Sequence, residues 1–281
     1  MQRLGSSSEP NRWQPVAQNS NMSERRIYVG TAAWAIPKAY QDKFPDEGSH
    51  LVRYASRLDG VEINSSFYRP HRLSTYQRWA ADVPEHFRFA VKMPKAITHE
   101  GRLLDVEGPL QRFLGEIAGL EHKLGPVLIQ LPPSLKFDLV RAEPFFRTLR
   151  ATIDGDLVCE PRHATWFTAD VDAFLVEHRI ARVAADPRPH PDAGTPGGWP
   201  GLVYYRLHGS PKMYYSAYSR EVITETTRIL VDHANAGTAA WCIFDNTAAF
   251  AATGDALSVT DLLLHRWTAR GRTGDGEETP P

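Results

Sequence analysis

Cysteine is nearly absent: the 281 residues contain two, Cys159 and Cys242, both in apolar runs and with no Cys-x-x-Cys spacing. This argues against a disulfide framework or a cysteine-rich metal cluster and favours buried thiols in a reducing compartment. No uninterrupted apolar run reaches the roughly 18 residues that a membrane span requires. An excess of one charge is also missing, because 32 Lys and Arg face 33 Asp and Glu for a formal net charge of −1. The total therefore implies no polyanionic partner, although it says little about a local basic cleft. Residues 1–24 are polar and lack the apolar stretch of a signal peptide. The expectation is a cytoplasmic protein with flexible tails at 1–24 and 269–281 around one domain at 25–268.

What the chain does contain is a rhythm. Eight apolar runs read as strands: Ile27–Gly30, Gly60–Asn64, Phe87–Lys92, Val127–Leu131, Leu157–Glu160, Ile180–Ala184, Leu202–Leu207 and Ala239–Phe244. Several are apolar at consecutive positions, which suits parallel strands covered on both faces. Between them, His50–Arg57 and Leu110–Lys123 space their apolar residues as helices do. Thr168 followed by Asp170 and Asp172 predicts a helix start, since a hydroxyl and early carboxylates satisfy free amides and the helix dipole. Arg220–His233 and Asp255–Trp267 are the last two expected helices. Asp186–Pro200 is rich in proline and glycine, so the helix between strands six and seven is expected to be missing or irregular. Alternating strand and helix argues for parallel α/β. No glycine-rich phosphate loop follows the first strand, which weighs against an open doubly wound sheet. The fold class expected is a single TIM-type (β/α) barrel of about eight parallel strands, for which about 250 residues suffice.

In such a barrel the functional groups gather at the C-terminal ends of the strands. All eight expected strand ends carry polar side chains: Thr31, Glu62 with Asn64, Lys92, Gln130, Glu160, Asp186, Arg206 with His208, and Asp245 with Asn246. Burying so many ionisable groups unpaired is expensive, so they either pair with one another or serve a ligand. The densest group is Glu160-Pro161-Arg162-His163. An arginine there suits a carboxylate or phosphate through its planar fork, and the histidine titrates near neutrality. Glu160 is either a base or the residue that orients Arg162. Arg206 and His208 lie two apart, so their side chains share one face of a strand. Lys92 reads as a charge partner, with a Schiff-base lysine as the less ordinary alternative. Trp34, Phe67, Tyr68, Trp166, Tyr214, Tyr215 and Tyr218 sit on the same rim, where aromatic walls suit sugar rings or bases by stacking, although Phe67 and Trp166 read rather as core that plugs the barrel top. No motif asks for a cofactor. A divalent metal on Glu62, Glu160, His163, Asp186, His208 and Asp245 is the alternative, disfavoured by the arginines and lysine nearby.

These motifs resemble those of the YecE-like family, also called domain of unknown function 72. Tyr28-Val29-Gly30-Thr31 with Trp34, Val61 to Tyr68, and Phe89 to Pro94 with Thr98 and His99 are similar to its opening motifs. Gln130 to Ser134, Glu160 to His163 with Trp166, Tyr205 to Gly209, and Phe244 to Thr247 follow in the family's order. The resemblance covers about Ile27 to Leu264. It implies a TIM-type barrel, often with an irregular helix, and no established activity.

Three functions compete. The first is an enzyme acting by acid–base chemistry on a small anionic or sugar-like substrate. Its catalytic candidates are Glu160, His163, His208 and Asp245. Arg162, Arg206 and Lys92 would hold the anion, with Glu62, Asn64, Tyr68, Gln130, Asp186, Asn246, Trp34 and Tyr215 around it. The second is a barrel that binds or processes nucleic acid, disfavoured by the balanced charge because phosphate contacts dominate such affinity. The third is a non-catalytic ligand-binding protein.

Overall fold

The computed structural model describes residues 27–271, with side chains as far as His265. The tail expected at 1–24 and residues 272–281 lie outside the described residues. Among the described residues there are ten strands and seven α-helices, alternating except from β6 to β9, where no α-helix intervenes. The strands are β1 (Ile27–Thr31), β2 (Gly60–Ile63), β3 (Arg88–Lys92), β4 (Leu124–Gln130) and β5 (Leu157–Glu160). Then come β6 (Ile180–Arg182), β7 (Ala184–Asp186), β8 (Gly197–Gly198), β9 (Leu202–Leu207) and β10 (Ala239–Phe244). The helices are α1 (His50–Ala55), α2 (Leu73–Asp82), α3 (Glu107–Ile117) and α4 (Leu139–Thr152). They continue with α5 (Ala169–Glu177), α6 (Arg220–Asn235) and α7 (Ala251–Gly271).

Local chemistry accounts for many of these boundaries. Ser49, Asp138, Thr168 and Ser219 each accept a hydrogen bond from an amide in the first turn of α1, α4, α5 and α6, which satisfies donors that helical bonding leaves free. Asp170 and Asp172 follow Thr168 in the first turn, as expected. The α3 helix stops at Ile117 and hands over to a 3-10 turn at Ala118–Lys123, so the expected Leu110–Lys123 helix is two pieces. Helix α7 reaches Gly271, beyond the expected domain end at 268. Asp186–Pro200 carries a 3-10 turn at Pro191–Gly194 and the two-residue β8 in place of a helix. No helix among the described residues is long and apolar enough to cross a membrane.

The strands form two sheets, one in the order β1-β10-β9-β7 and the other β2-β3-β4-β5-β6-β8. All pairings are parallel except the short β6–β8 contact. The expected single ring of about eight strands is not present as one hydrogen-bonded sheet, for two local reasons. The expected strand Ile180–Ala184 divides at Val183: β6 pairs with β5, whereas β7 pairs with β9. Between β1 and β2 the ladder shrinks to one parallel bridge, Ala32 to Glu62, beside the Ala33 amide donating to the Glu62 carbonyl at 2.9 Å. Here the backbones run so close that a Cβ on Gly30 would overlap the Gly60 carbonyl, which is why glycine stands at that position.

Side chains on alternate strand positions point to opposite faces. One face packs against the helices in the large core that includes Val29, Val61, Phe89, Val127, Ile129, Leu157 and Phe244. The other face builds a second core from both sheets: Ala90, Leu128, Val158 and Ala181 from one, and Leu202, Tyr204, Trp241 and Ile243 from the other. The two sheets therefore face each other across a shared apolar layer, with small Ala90 and Ala181 leaving room for the large Tyr204 and Trp241.

Candidate functional site

Continuing that second core by two residues along each strand changes its chemistry. Ala90 leads to Lys92, Leu128 to Gln130, Val158 to Glu160, Tyr204 to Arg206 and then His208, and Ile243 to Asp245. With Glu62 from β2, these residues form a buried charged layer above the apolar one.

Arg206 is its hub and is 0% exposed. Its Nε and Nη2 donate to Glu62 Oε2 and Oε1 at 3.0 and 2.7 Å. Its Nη1 donates to Glu160 Oε2 at 2.6 Å, and Nη2 also reaches Asp245 Oδ2 at 3.1 Å. Tyr204 Oη donates to Glu62 Oε2 at 2.9 Å. Glu160 Oε1 accepts from Gln130 Nε2 at 3.1 Å and from Arg162 Nε and Nη2 at 3.0 and 2.9 Å. His208 Nδ1 lies 3.0 Å from Asp245 Oδ2. Its Nε2 is 3.3 Å from Glu160 Oε1, yet makes no well-formed hydrogen bond and is fully buried.

The charges hold each other in place. Burial alone would raise the Glu160 carboxyl, but Arg206, His208 and Arg162 outweigh it and hold it well below the usual carboxylate range. Asp245 is lowered in the same way, against burial, by Arg206 and His208. For His208, burial favours the neutral ring, and the carboxylates of Glu160 and Asp245 overcome this to raise its pKa. Arg206 stays charged despite burial because Glu62, Glu160 and Asp245 surround it. Lys92 goes the other way: burial first, then the Arg206 charge, lower it from 10.5 to about 8. Three carboxylates (Glu62, Glu160, Asp245) thus face four cationic groups (Lys92, Arg162, Arg206, His208), one positive charge too many when all are ionised.

Of the residues expected at the site, Glu62, Lys92, Gln130, Glu160, Arg162, Arg206, His208 and Asp245 do come together. Arg206, expected to hold an anionic ligand, has its donors taken by internal carboxylates, so it orders the site instead. Others turn elsewhere. His163 Nδ1 accepts from the Thr165 amide at 3.2 Å and caps the 3-10 turn at Ala164–Trp166, so its ring shapes the loop. Asn246 donates to Asp255 Oδ2 at 2.7 Å and to the Ser216 carbonyl at 2.9 Å, which ties α7 to the loop after β9. Asp186 accepts from Tyr218 Oη at 2.8 Å, and that hydroxyl accepts from the Gly209 amide at 2.8 Å. Trp34 packs edge-on against Trp79. Tyr68 and Tyr215 are 70% and 48% exposed, the one against Phe67 and the other under Lys212. Asn64 Oδ1 is buried without a hydrogen-bond partner among the described residues. No group of three or more His, Cys, Asp or Glu among the described residues is arranged to hold a metal ion; three of the expected ligands instead close on Arg206.

Two residues of this neighbourhood, Tyr204 and His99, were not among the expected site residues. Tyr204 stands two before Arg206, so the same alternation that pairs Arg206 with His208 also points to it. His99 lies edge-on to Phe67, 4.9 Å between ring centres, and burial followed by the charges of Lys92 and Arg162 lowers its pKa. Tyr214, expected on the aromatic rim, packs edge-on to His208 at 5.7 Å. Phe67 also borders a cavity of about 250 Å³ whose lining includes Tyr68, Pro94, Lys95 and Arg112.

The comparisons with known proteins bear on the family and the fold. UPF0759 protein YecE of Escherichia coli strain K12 is 28% identical over 169 residues, covering 58% of this chain and 60% of that protein. UPF0759 protein YunF of Bacillus subtilis strain 168 is 26% identical over 150 residues, 50% of this chain and 52% of the relative. The chain therefore aligns with somewhat over half the length of these relatives. A DUF72 family protein from Enterococcus faecalis V583 superposes with a TM-score of 0.70 at 21% identity, covering 85% of this chain and 95% of that one. One from Thermotoga maritima MSB8 gives 0.69 at 24% identity, with 85% and 99% covered. At such identities the likeness is one of fold. The family described as "Protein of unknown function DUF72" matches residues 28–277, a span that includes the whole charged layer, and the chain belongs to that family.

Proposed function

We propose that this chain is an enzyme that binds a small anionic or sugar-like molecule at the strand ends and moves a proton on it. His208 is the observation that carries this proposal. Asp245 holds its Nδ1, and its Nε2 is buried without a well-formed hydrogen bond. An imidazole held by Asp245 at Nδ1, with Nε2 lying 3.3 Å from Glu160 Oε1 but not in a well-formed hydrogen bond, is suited to give or take a proton at Nε2 when a ligand replaces that contact. Arg162 and Lys92 supply charge for an anion, and the one positive charge in excess favours such a ligand. Arg206 acts as a positioning residue that fixes Glu62, Glu160 and Asp245. A small molecule is favoured over nucleic acid because Arg206 and Lys92 are buried, whereas phosphate backbones are read by exposed cations.

The two sheets are best taken as one TIM-type ring of eight strand positions. The shared inner core, the Ala32–Glu62 bridge and the unbroken chain from β6 through Val183 to β7 support this. The charged layer then lies at the C-terminal mouth, where barrel enzymes keep their sites. The two buried free thiols, Cys159 and Cys242, fit a cytoplasmic setting.

The test is thermal unfolding against a panel of carboxylates, phosphorylated metabolites, sugars and nucleotides. A ligand at about a hundred times its Kd stabilises a fold by about 2.7 kcal/mol. The expected result is a raised midpoint with a small anion that Arg162→Ala or His208→Gln removes. A panel without effect, or a shift indifferent to both substitutions, overturns the proposal.

A further inference from the structure

We infer that Lys92 is a nucleophile for a carbonyl carbon, which narrows the ligand to small anions carrying an aldehyde or ketone. The inference rests on the anion-binding reading above and deepens it. Three of the four cationic groups in the layer are seated on carboxylates: Arg206 on three, Arg162 on Glu160, and His208 on Asp245. Lys92 is the exception. It is 6% exposed, yet its Nζ makes no hydrogen bond or ion pair among the described residues. It stands 4.2 Å from the centre of the Phe67 ring, and its own carbonyl accepts from Ser66 Oγ at 2.6 Å. A lysine that merely balanced charge would be expected on one of the neighbouring carboxylates, but both oxygens of Glu62 and Glu160 and Oδ2 of Asp245 are held by other donors.

Burial and the Arg206 charge give Lys92 a pKa of about 8. About one amine in ten is then neutral at pH 7, against about one in three thousand for an ordinary lysine. Desolvation beside another cation is a recognised way to prepare a nucleophilic lysine. In the step proposed, the Nζ lone pair forms a bond to the carbonyl carbon, and the carbonyl π electrons move to oxygen, which takes up a proton. Nitrogen loses a proton to give a neutral carbinolamine. A second proton on the hydroxyl lets it leave as water while nitrogen forms the C=N bond. The product of these steps is the protonated imine, the sum being amine plus carbonyl plus one proton giving iminium plus water; loss of its N–H proton gives the neutral imine, with no oxidant or reductant. His208 is the group in the layer suited to supply and recover these protons.

The experiment treats the full chain at pH 7 with glyoxylate, a small anionic aldehyde, and cyanoborohydride, which reduces an imine to a stable carboxymethyl amine. Peptide mass mapping then follows each lysine. Lys92 is expected to be modified at least about ten-fold faster than exposed Lys95, and Lys92→Arg to lose that label while the surface labels persist. Labelling of Lys92 no faster than Lys95 overturns the inference. Thermal unfolding with oxalate, an anion that forms no imine, separates the two ideas. Stabilisation by oxalate without labelling sinks the carbonyl chemistry alone. Labelling without stabilisation, and unaffected by Arg162→Ala, keeps the nucleophile and removes the anion site.

Discussion

Replacing Lys92 by methionine should make the protein more stable at neutral pH. Lowering a lysine from 10.5 to about 8 on folding means that the charged form is disfavoured in the fold by about 3 kcal/mol at pH 7. The sign follows from proton counting: between pH 8 and 10.5 the unfolded chain binds more protons at this site, so stability rises with pH there. Below pH 8 the full cost is present. Methionine keeps the length of the side chain and its contact with Phe67 but loses a cation–π contact worth about 1 kcal/mol. The net gain expected at pH 7 is about 2 kcal/mol, or about 4–8 °C in Tm for a chain of this size. At pH 10 the folded lysine is neutral, so no cation–π contact is lost on substitution and the lysine cost is about 1 kcal/mol; the gain should shrink to about 1 kcal/mol. Urea and thermal unfolding of both proteins at pH 7 and pH 10 measure this directly. A methionine variant less stable at pH 7, or one whose advantage is the same at pH 10, would refute the account of Lys92.

Three further outcomes follow from the charged layer and its supports. Arg206→Met leaves three buried carboxylates without their shared cation and should cost about 3–5 kcal/mol; a loss under 1 kcal/mol in urea unfolding would show that the layer relaxes freely. Tyr218→Phe removes the hydroxyl between Asp186 and the Gly209 amide and should cost about 1–3 kcal/mol, with faster amide exchange in the loop 209–218. The raised pKa of His208 makes its contribution complete below about 6.5 and lost as pH rises through the folded value. The depressed Glu160 and Asp245 contribute above about 4 and lose this as pH falls through their folded values. The stability difference between wild type and His208→Gln should therefore shrink as pH rises above 6.5, and a difference that grows would reverse the assignment.

Much of this was legible from strand alternation. Leu157–Glu160, Leu202–Leu207 and Ala239–Phe244 fall where their apolar runs place them, and the two-residue step from apolar to charged positions locates the site. Helix α2 was missed because Tyr76 is its only buried residue. Helix α4 was missed because Pro144 lies inside it and Leu139 and Val140 are exposed, which blurs the apolar stripe. Strand six could not be divided from sequence, since the partner changes at Val183 while the residues stay apolar. What sequence cannot show is which cation meets which carboxylate. Arg206 and Glu62 are 144 positions apart, so the saturation of Arg206 and the isolation of Lys92 come only from the fold. The same holds for His163, which looks as reactive as His208 in sequence but caps a turn.

The most direct test of the site is the protonation of His208, followed by NMR on nitrogen-labelled protein and assigned with His208→Gln. The expected result is a midpoint above 6.5, with Nδ1 protonated throughout and Nε2 responding when a stabilising anion is added. A midpoint below 6.5, or an Nε2 signal indifferent to every anion, would contradict the site as described.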